Sequence, residues 1–370
     1  MNKRIFIIGD VEIGRRDRMD DFCDDPTLVR FIDHLSLLVQ HEAVQLILNG
    51  DFFDFLKISY KNEYPRYVTE EISLWKLNQV LKAHPLVFEA LRSFLSHPNA
   101  EIFFVIGNHD ADLIWPSLQK EIRKILGDNR SRSHERVKFD FSFEENDLHV
   151  EHGNFADPFF SFDSSKPIIE FKGQKILNLP FGSHIATQYL IPIKKKFRHE
   201  ERLYPRNIVF ERHKGFKKAI KSLFYYHGFR ILLLDPLLHI GDPAYRVPYM
   251  ALFKFFWRKG LRFAHDENFL EIKNLLQAYP LAKLLVLSHA HVLKDFNMDG
   301  RRILITDTWR NEYDLLLNRK KDPTYAEIFL QDGRILSAEL KLFIPSSDRK
   351  HLRIKKQSAL ESKLKARLAP

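Results

Sequence analysis

Residues 46–54 read LILNGDFFD and residues 102–110 read IFFVIGNHD. Each is an apolar run that ends in a turn and hands over to carboxylate, amide or imidazole side chains. A short apolar run bounded by turn residues is the pattern of a buried strand. Open α/β sheets place their ligands just beyond the carboxyl ends of such strands. The same form recurs outward from these two stretches, as IFIIGDVE at 5–12, LHVEHGN at 148–154 and LLVLSHAH at 284–291. Asp10, Asp51, Asn108, His152, His289 and His291 therefore each follow an apolar run. One Gly-Asp alone is a turn, and one His alone is a hydrogen-bonded structural residue. The ordered set points to a shared polar centre.

Helix-like spacing of apolar residues fills 28–42 and 70–94, with Pro85 set to kink or split the second stretch. Strand, helix, strand repeats imply α/β layers. Two β-like runs around Asp332-Gly333 predict a closing hairpin. Between about 160 and 265 the alternation gives way to stretches that interleave Phe with Lys and Arg, such as KKKFR at 194–198, FKKAIKSLFYY at 216–226 and FKFFWRKGLR at 253–262. This reads as a helical insertion in a domain spanning 1–345, followed by a basic tail at 346–370. Two readings of the insertion stay open. Its basic and aromatic stretches lie on a membrane surface or over a lipid-bearing substrate, or they form a lid that packs its aromatics inward.

The 370 residues include 32 Phe, and 58 Lys and Arg against 48 Asp and Glu give a formal charge of +10. That balance favours anionic partners such as phosphorylated substrates, nucleic acid or anionic lipid. A single cysteine, Cys23, excludes an internal disulfide and a Cys-based zinc site, which fits a reducing compartment. The first residues lack a signal-type apolar segment, and no apolar stretch is long enough to span a bilayer. The expectation is a cytoplasmic protein, with any membrane contact peripheral on the inner face.

GDVE, GDFFD, GNHD, EHGN and SHAH together resemble the five blocks of the calcineurin-like metallophosphoesterases. The resemblance implies a four-layer α-β-β-α sandwich and hydrolysis of a phosphodiester or pyrophosphate bond by a hydroxide held between two divalent metals. By position, Asp10, Glu12, Asp51 and His291 would hold one ion, and Asp51, Asn108, His152 and His289 the other, with Asp51 bridging. The resemblance places His109 at the leaving-group oxygen as the catalytic acid, with Asp110 or another carboxylate orienting it, and Asp54 behind the ligands. Two positions depart from the pattern. Glu12 stands where the family has His, a harder ligand that favours Mn²⁺ or Mg²⁺ over Zn²⁺, with Co²⁺ and Fe²⁺ also compatible. Ser288 stands where the last block has Gly. ILITDTWRNEY at 303–313 is similar to the turn that closes the family's site, which puts Trp309 and Arg310 beside a substrate groove or in the core.

Block spacing and the insertion most resemble the bacterial UDP-2,3-diacylglucosamine pyrophosphohydrolases of lipid A synthesis, which implies a lipid-linked nucleotide substrate and peripheral membrane contact. Two rivals are a nuclease-type phosphodiesterase and a non-catalytic scaffold of the same fold. The absence of a nucleic-acid-binding motif speaks against the first, and the retained ligand-type residues speak against the second.

Overall fold

Parallel strands need crossover connections, and this sequence supplies helices between its apolar runs. The computed structural model describes residues 2–128, 132–259 and 271–344. In it, β1 (Asn2–Ile8), β2 (Ala43–Asn49) and β3 (Ala100–Val105) pair in parallel. α1 (Asp25–Leu38) makes the first crossover, and α2 (Glu70–Ala83) with α3 (Pro85–Ser96) makes the second. The break between these two falls at His84, and Pro85 opens α3, where its missing N–H leaves no helical bond unmade. β4 (Val137–Asp140) extends the sheet beyond β3. At the other edge the hairpin of Thr324–Gln331 and Arg334–Leu342 pairs with β1, turning through Asp332 and Gly333, both at positive φ.

A second sheet has the order Lys294–Met298, Arg301–Ile305, Leu284–Leu287, β6 (Leu148–Glu151) and β5 (Ser142–Glu145). Its three central strands are parallel to one another. Side chains alternate across each strand, so each sheet has two apolar faces to cover. Phe6, Leu46, Leu48, Ile102 and Phe104 pack under α1, α3 and α4 (Pro116–Leu126) through Phe31, Leu91, Phe94 and Leu118. Ile5, Ile7, Ile47 and Val105 face Leu148, Val150, Leu284 and Val286 of the second sheet. The outer face of that sheet, including Leu285 and Ile303, takes the helix Ile272–Ala278 through Leu275 and Leu276. Helices, sheet, sheet and helix thus stack in layers.

Among the described residues, twelve of the 32 Phe are buried in this body. Phe6, Phe22, Phe31, Phe52, Phe53, Phe55, Phe94 and Phe104 are among its largest fully buried side chains. Residues 160–259 contain a β-hairpin (Ile168–Phe171 with Gln174–Leu177) and short helices such as Ile191–Lys196, Lys214–Ser222 and Tyr249–Lys259. Their own core is small, built on Phe181, Val247 and Leu252. Phe216 is buried, but Tyr225, Tyr226, Ile240 and Trp257 are 79–85 % exposed, so these side chains do not pack inward as a closed lid would require. The last part of the 253–262 stretch and the tail at 346–370 lie outside the described residues.

Phe31 ties α1 to both the closing hairpin and the loop after the second sheet, with its ring centroid 5.1–5.3 Å from those of Trp309, Tyr325 and Phe343. Phe31→Ala should lower unfolding stability by about 3–5 kcal/mol, and Phe31→Leu by much less. Urea denaturation of the two variants checks this.

Candidate metal centre

Asp10, Asp51, Asn108, His152, His289 and His291 all sit in the turns that follow parallel strands, the first three on one sheet and the last three on the other. The chain must reverse sharply there, and five site residues adopt left-handed backbone: Asp10 (φ 52°), Glu12 (55°), Asp51 (51°), His289 (66°) and His291 (52°). Such conformations cost roughly 1–3 kcal/mol each and persist only where surrounding contacts enforce them. The adjacent glycines are a steric necessity. A Cβ on Gly50 would lie 2.3 Å from the His152 ring, and one on Gly107 would lie 2.2 Å from Asp51 Oδ1.

Asp51, His152 and His289 converge, each offering a donor atom within 4.8 Å of the others. His152 Nε2 is 3.1 Å from Asp51 Oδ2 and 3.2 Å from His289 Nδ1. The opposite ring nitrogens are engaged elsewhere, His152 Nδ1 with the Asn49 carbonyl at 3.0 Å and His289 Nε2 with Asp157 Oδ2 at 3.0 Å. When those nitrogens carry the protons, the inward ones present lone pairs, the arrangement that a metal-binding imidazole needs. Asn108 Oδ1 is buried and accepts no hydrogen bond. Two imidazoles, a carboxylate and an unpartnered amide oxygen fit a divalent transition metal.

The first expected position is built differently. His291 Nε2 lies 3.2 Å from Asp10 Oδ1 and 3.5 Å from Glu12 Oε1. Glu12 is already neutralised: its Oε2 accepts from Lys57 Nζ at 2.9 Å, and its Oε1 from Arg310 Nη1 at 3.2 Å. Burial would raise the Glu12 carboxyl, but Arg310 and Lys57 hold it well below the usual carboxylate range. The same ammonium reaches Asp21 at 2.8 Å and Asp54 at 2.7 Å. Asp21 also pairs with Lys194 from the insertion. A carboxylate shared between two buried cations is a poor metal donor, so this position does not fit an ion as the second does. The preference for Mn²⁺ drawn from Glu12 as a hard ligand loses its basis.

His109 stands beside the centre with Nδ1 2.9 Å from Asp54 Oδ1, and its backbone N–H donates to Asp51 Oδ1 at 2.7 Å. Burial would lower its imidazole, but Asp51, Asp54 and Glu12 outweigh burial and raise it to about 9. The carboxylate that orients His109 is Asp54. Asp110 does other work: it accepts from the backbone N–H groups of Gly107 at 2.7 Å and Phe52 at 2.9 Å, which locks the two motif loops together. Of the carboxylates expected to orient His109, Asp54 rather than Asp110 makes the contact with its ring. Ser288 is also structural, since Asn49 Nδ2 donates to its Oγ at 2.9 Å. Trp309 is in the core, donating to the Thr324 carbonyl at 2.7 Å, whereas Arg310 enters the site. Lys57, Asp21, Asp157 and Glu312 were not singled out from sequence. Asp157 lies only five residues beyond His152, but before Pro158 it reads as a turn residue.

Burial pulls the His152 imidazole down, yet Asp51 raises it to about 10 in the metal-free chain. A ligand imidazole must be neutral, so below that pH an incoming ion must displace a proton. Metal binding at pH 7 should release about one proton per ion and tighten roughly tenfold per pH unit. Calorimetry in buffers of different ionisation enthalpy measures this, and zero net release would contradict the assignment of His152.

No protein-family model matches the sequence, and no curated protein matches it. Among solved structures, the chain is similar to a Staphylococcus aureus protein named as a 5′-nucleotidase, at 14% identity and TM-score 0.37 over 99% of this chain and 58% of that one. It is also similar to a dimetal phosphatase from Danio rerio, at 10% identity and TM-score 0.37 over 92% and 99%. A third is Vps29 from Entamoeba histolytica complexed with Zn²⁺, at 10% identity and TM-score 0.25 over 92% and 99%. The functional reading accordingly rests on the geometry of the site itself.

Proposed function

We propose that this chain is a metal-dependent phosphoesterase of the calcineurin-like kind, cleaving a phosphodiester or pyrophosphate bond. The observation that carries it is the convergence of Asp51, His152 and His289 beside His109, with each imidazole held by a second partner. A bound divalent ion would polarise phosphoryl oxygens and acidify a water there. The chain's own groups do the rest. Asn49 and Asp157 fix the ligand rings, and Asp54 holds His109 so that its Nε2 is left to face substrate. A proton on that Nε2 can pass to a departing oxygen.

The insertion supports a lipid-linked substrate. Tyr225, Tyr226, Phe229, Leu237 and Leu238 are exposed, within a stretch that also carries Lys217, Lys218, Lys221 and Arg230. Apolar side chains beside cationic ones suit an anionic lipid surface. We propose residues 160–265 as a cap that receives the lipid portion of a substrate such as UDP-2,3-diacylglucosamine at the inner membrane face. No helix among the described residues is long and apolar enough to cross a membrane.

Hydrolysis of bis(p-nitrophenyl) phosphate by the chelator-stripped protein, with Mn²⁺, Mg²⁺, Co²⁺ or Zn²⁺ restored, tests the activity. Asp51→Ala should abolish it. His109→Ala should lower kcat by about 10²–10⁴ while bound metal stays at the wild-type level. A wild-type kcat in that variant would remove His109 from the reaction.

A further inference from the structure

The second group of converging donors, Glu12, Asp54 and His109, has carboxylates close enough to invite a cation. The Lys57 ammonium, on a residue that is 7 % exposed, lies 2.9 Å from Glu12, 2.7 Å from Asp54 and 2.8 Å from Asp21. Arg310 meets the other oxygen of Glu12 and is itself fixed by Glu312 at 2.6 Å. Both oxygens of the carboxylate expected to bind the first ion thus face fixed positive charge. An incoming divalent ion would compete with two buried cations for Glu12 and be repelled by both.

We infer that the Lys57 ammonium is a built-in cation standing in for one of the two metal ions, so that this chain holds a single divalent ion, at Asp51, Asn108, His152 and His289. The inference rests on the metal site proposed above but makes a separate claim about its stoichiometry. The lysine anchors Glu12 and Asp54, and through Asp54 it positions His109. Lys57 is thus a positioning residue, and it supplies fixed positive charge that chelation cannot remove.

The test loads the full, chelator-stripped chain with Mn²⁺, removes free ion by desalting, and reads bound metal by mass spectrometry and by electron paramagnetic resonance. The wild type should retain about one Mn²⁺ with the spectrum of an isolated ion. Glu12→His removes the carboxylate that both cations hold and restores an imidazole donor, so it should retain about two, with a spin-coupled spectrum. Lys57→Met should show a larger Mn²⁺-induced rise in melting temperature than the wild type, because the freed carboxylates accept the ion. Two tightly held Mn²⁺ in the wild type would overturn the inference while leaving the phosphoesterase reading intact. So would a folded Glu12→His chain that still holds one, or a Lys57→Met chain with no added response to Mn²⁺. No retained Mn²⁺ in the wild type would instead remove the metal site itself, and the inference with it.

Discussion

Burying carboxylates at the open end of two sheets obliges the chain to bury their counter-charges with them. An uncompensated ion in a protein interior costs several kcal/mol, and only close partners with well-directed hydrogen bonds offset it. Asp21, Glu12 and Glu312 are all nearly inaccessible, and each is held against Lys57, Lys194, Arg310 or Lys321. Lysine is rarely found inside unless paired, yet Lys57, Lys76 and Lys194 are buried here, each facing an aspartate. Some of the 58 Lys and Arg are therefore no surface charges, but one half of an internal lattice of ions.

That lattice explains why the metal-type residues are held so firmly. Asp10 Oδ2 takes the backbone N–H of His289, Asp51 Oδ1 takes that of His109, and Ser288 N–H donates to the His152 carbonyl. Each loop thus closes on a loop from another strand. The left-handed residues stay in place because the neighbouring turn leaves them nowhere else to go, and the geometry of the centre is set before any ligand arrives.

The fold and much of the site were legible in the sequence for one physical reason. Strands buried on both faces are mainly apolar, so the polar turn that follows each of them stands out, as it does at Asp51, Asn108, His152 and His289. The Asp332-Gly333 turn and the break at Pro85 were legible because their backbone demands select particular residues. Lys57 was not, since a lysine after FL in a turn reads as a solvated side chain until tertiary pairing buries it. Which carboxylate meets His109, Asp54 or Asp110, was equally hidden, because both lie in motif turns and only the direction of their side chains separates them. In the insertion, helices of 4–11 residues are too short for periodicity to say which aromatics face inward.

Asp21 draws its partners from widely separated parts of the chain: Lys57, 36 residues away, and Lys194, 173 residues away. The backbone of Glu201 accepts from Arg310 over 109 residues. Closing such large loops costs chain entropy that the contacts and the structure around them must offset. The ionic lattice is therefore complete only where the insertion is docked on the α/β body. Without the docked insertion the centre is electrostatically unfinished, so the segment farthest from the strands in character is also the one that completes the site at their ends.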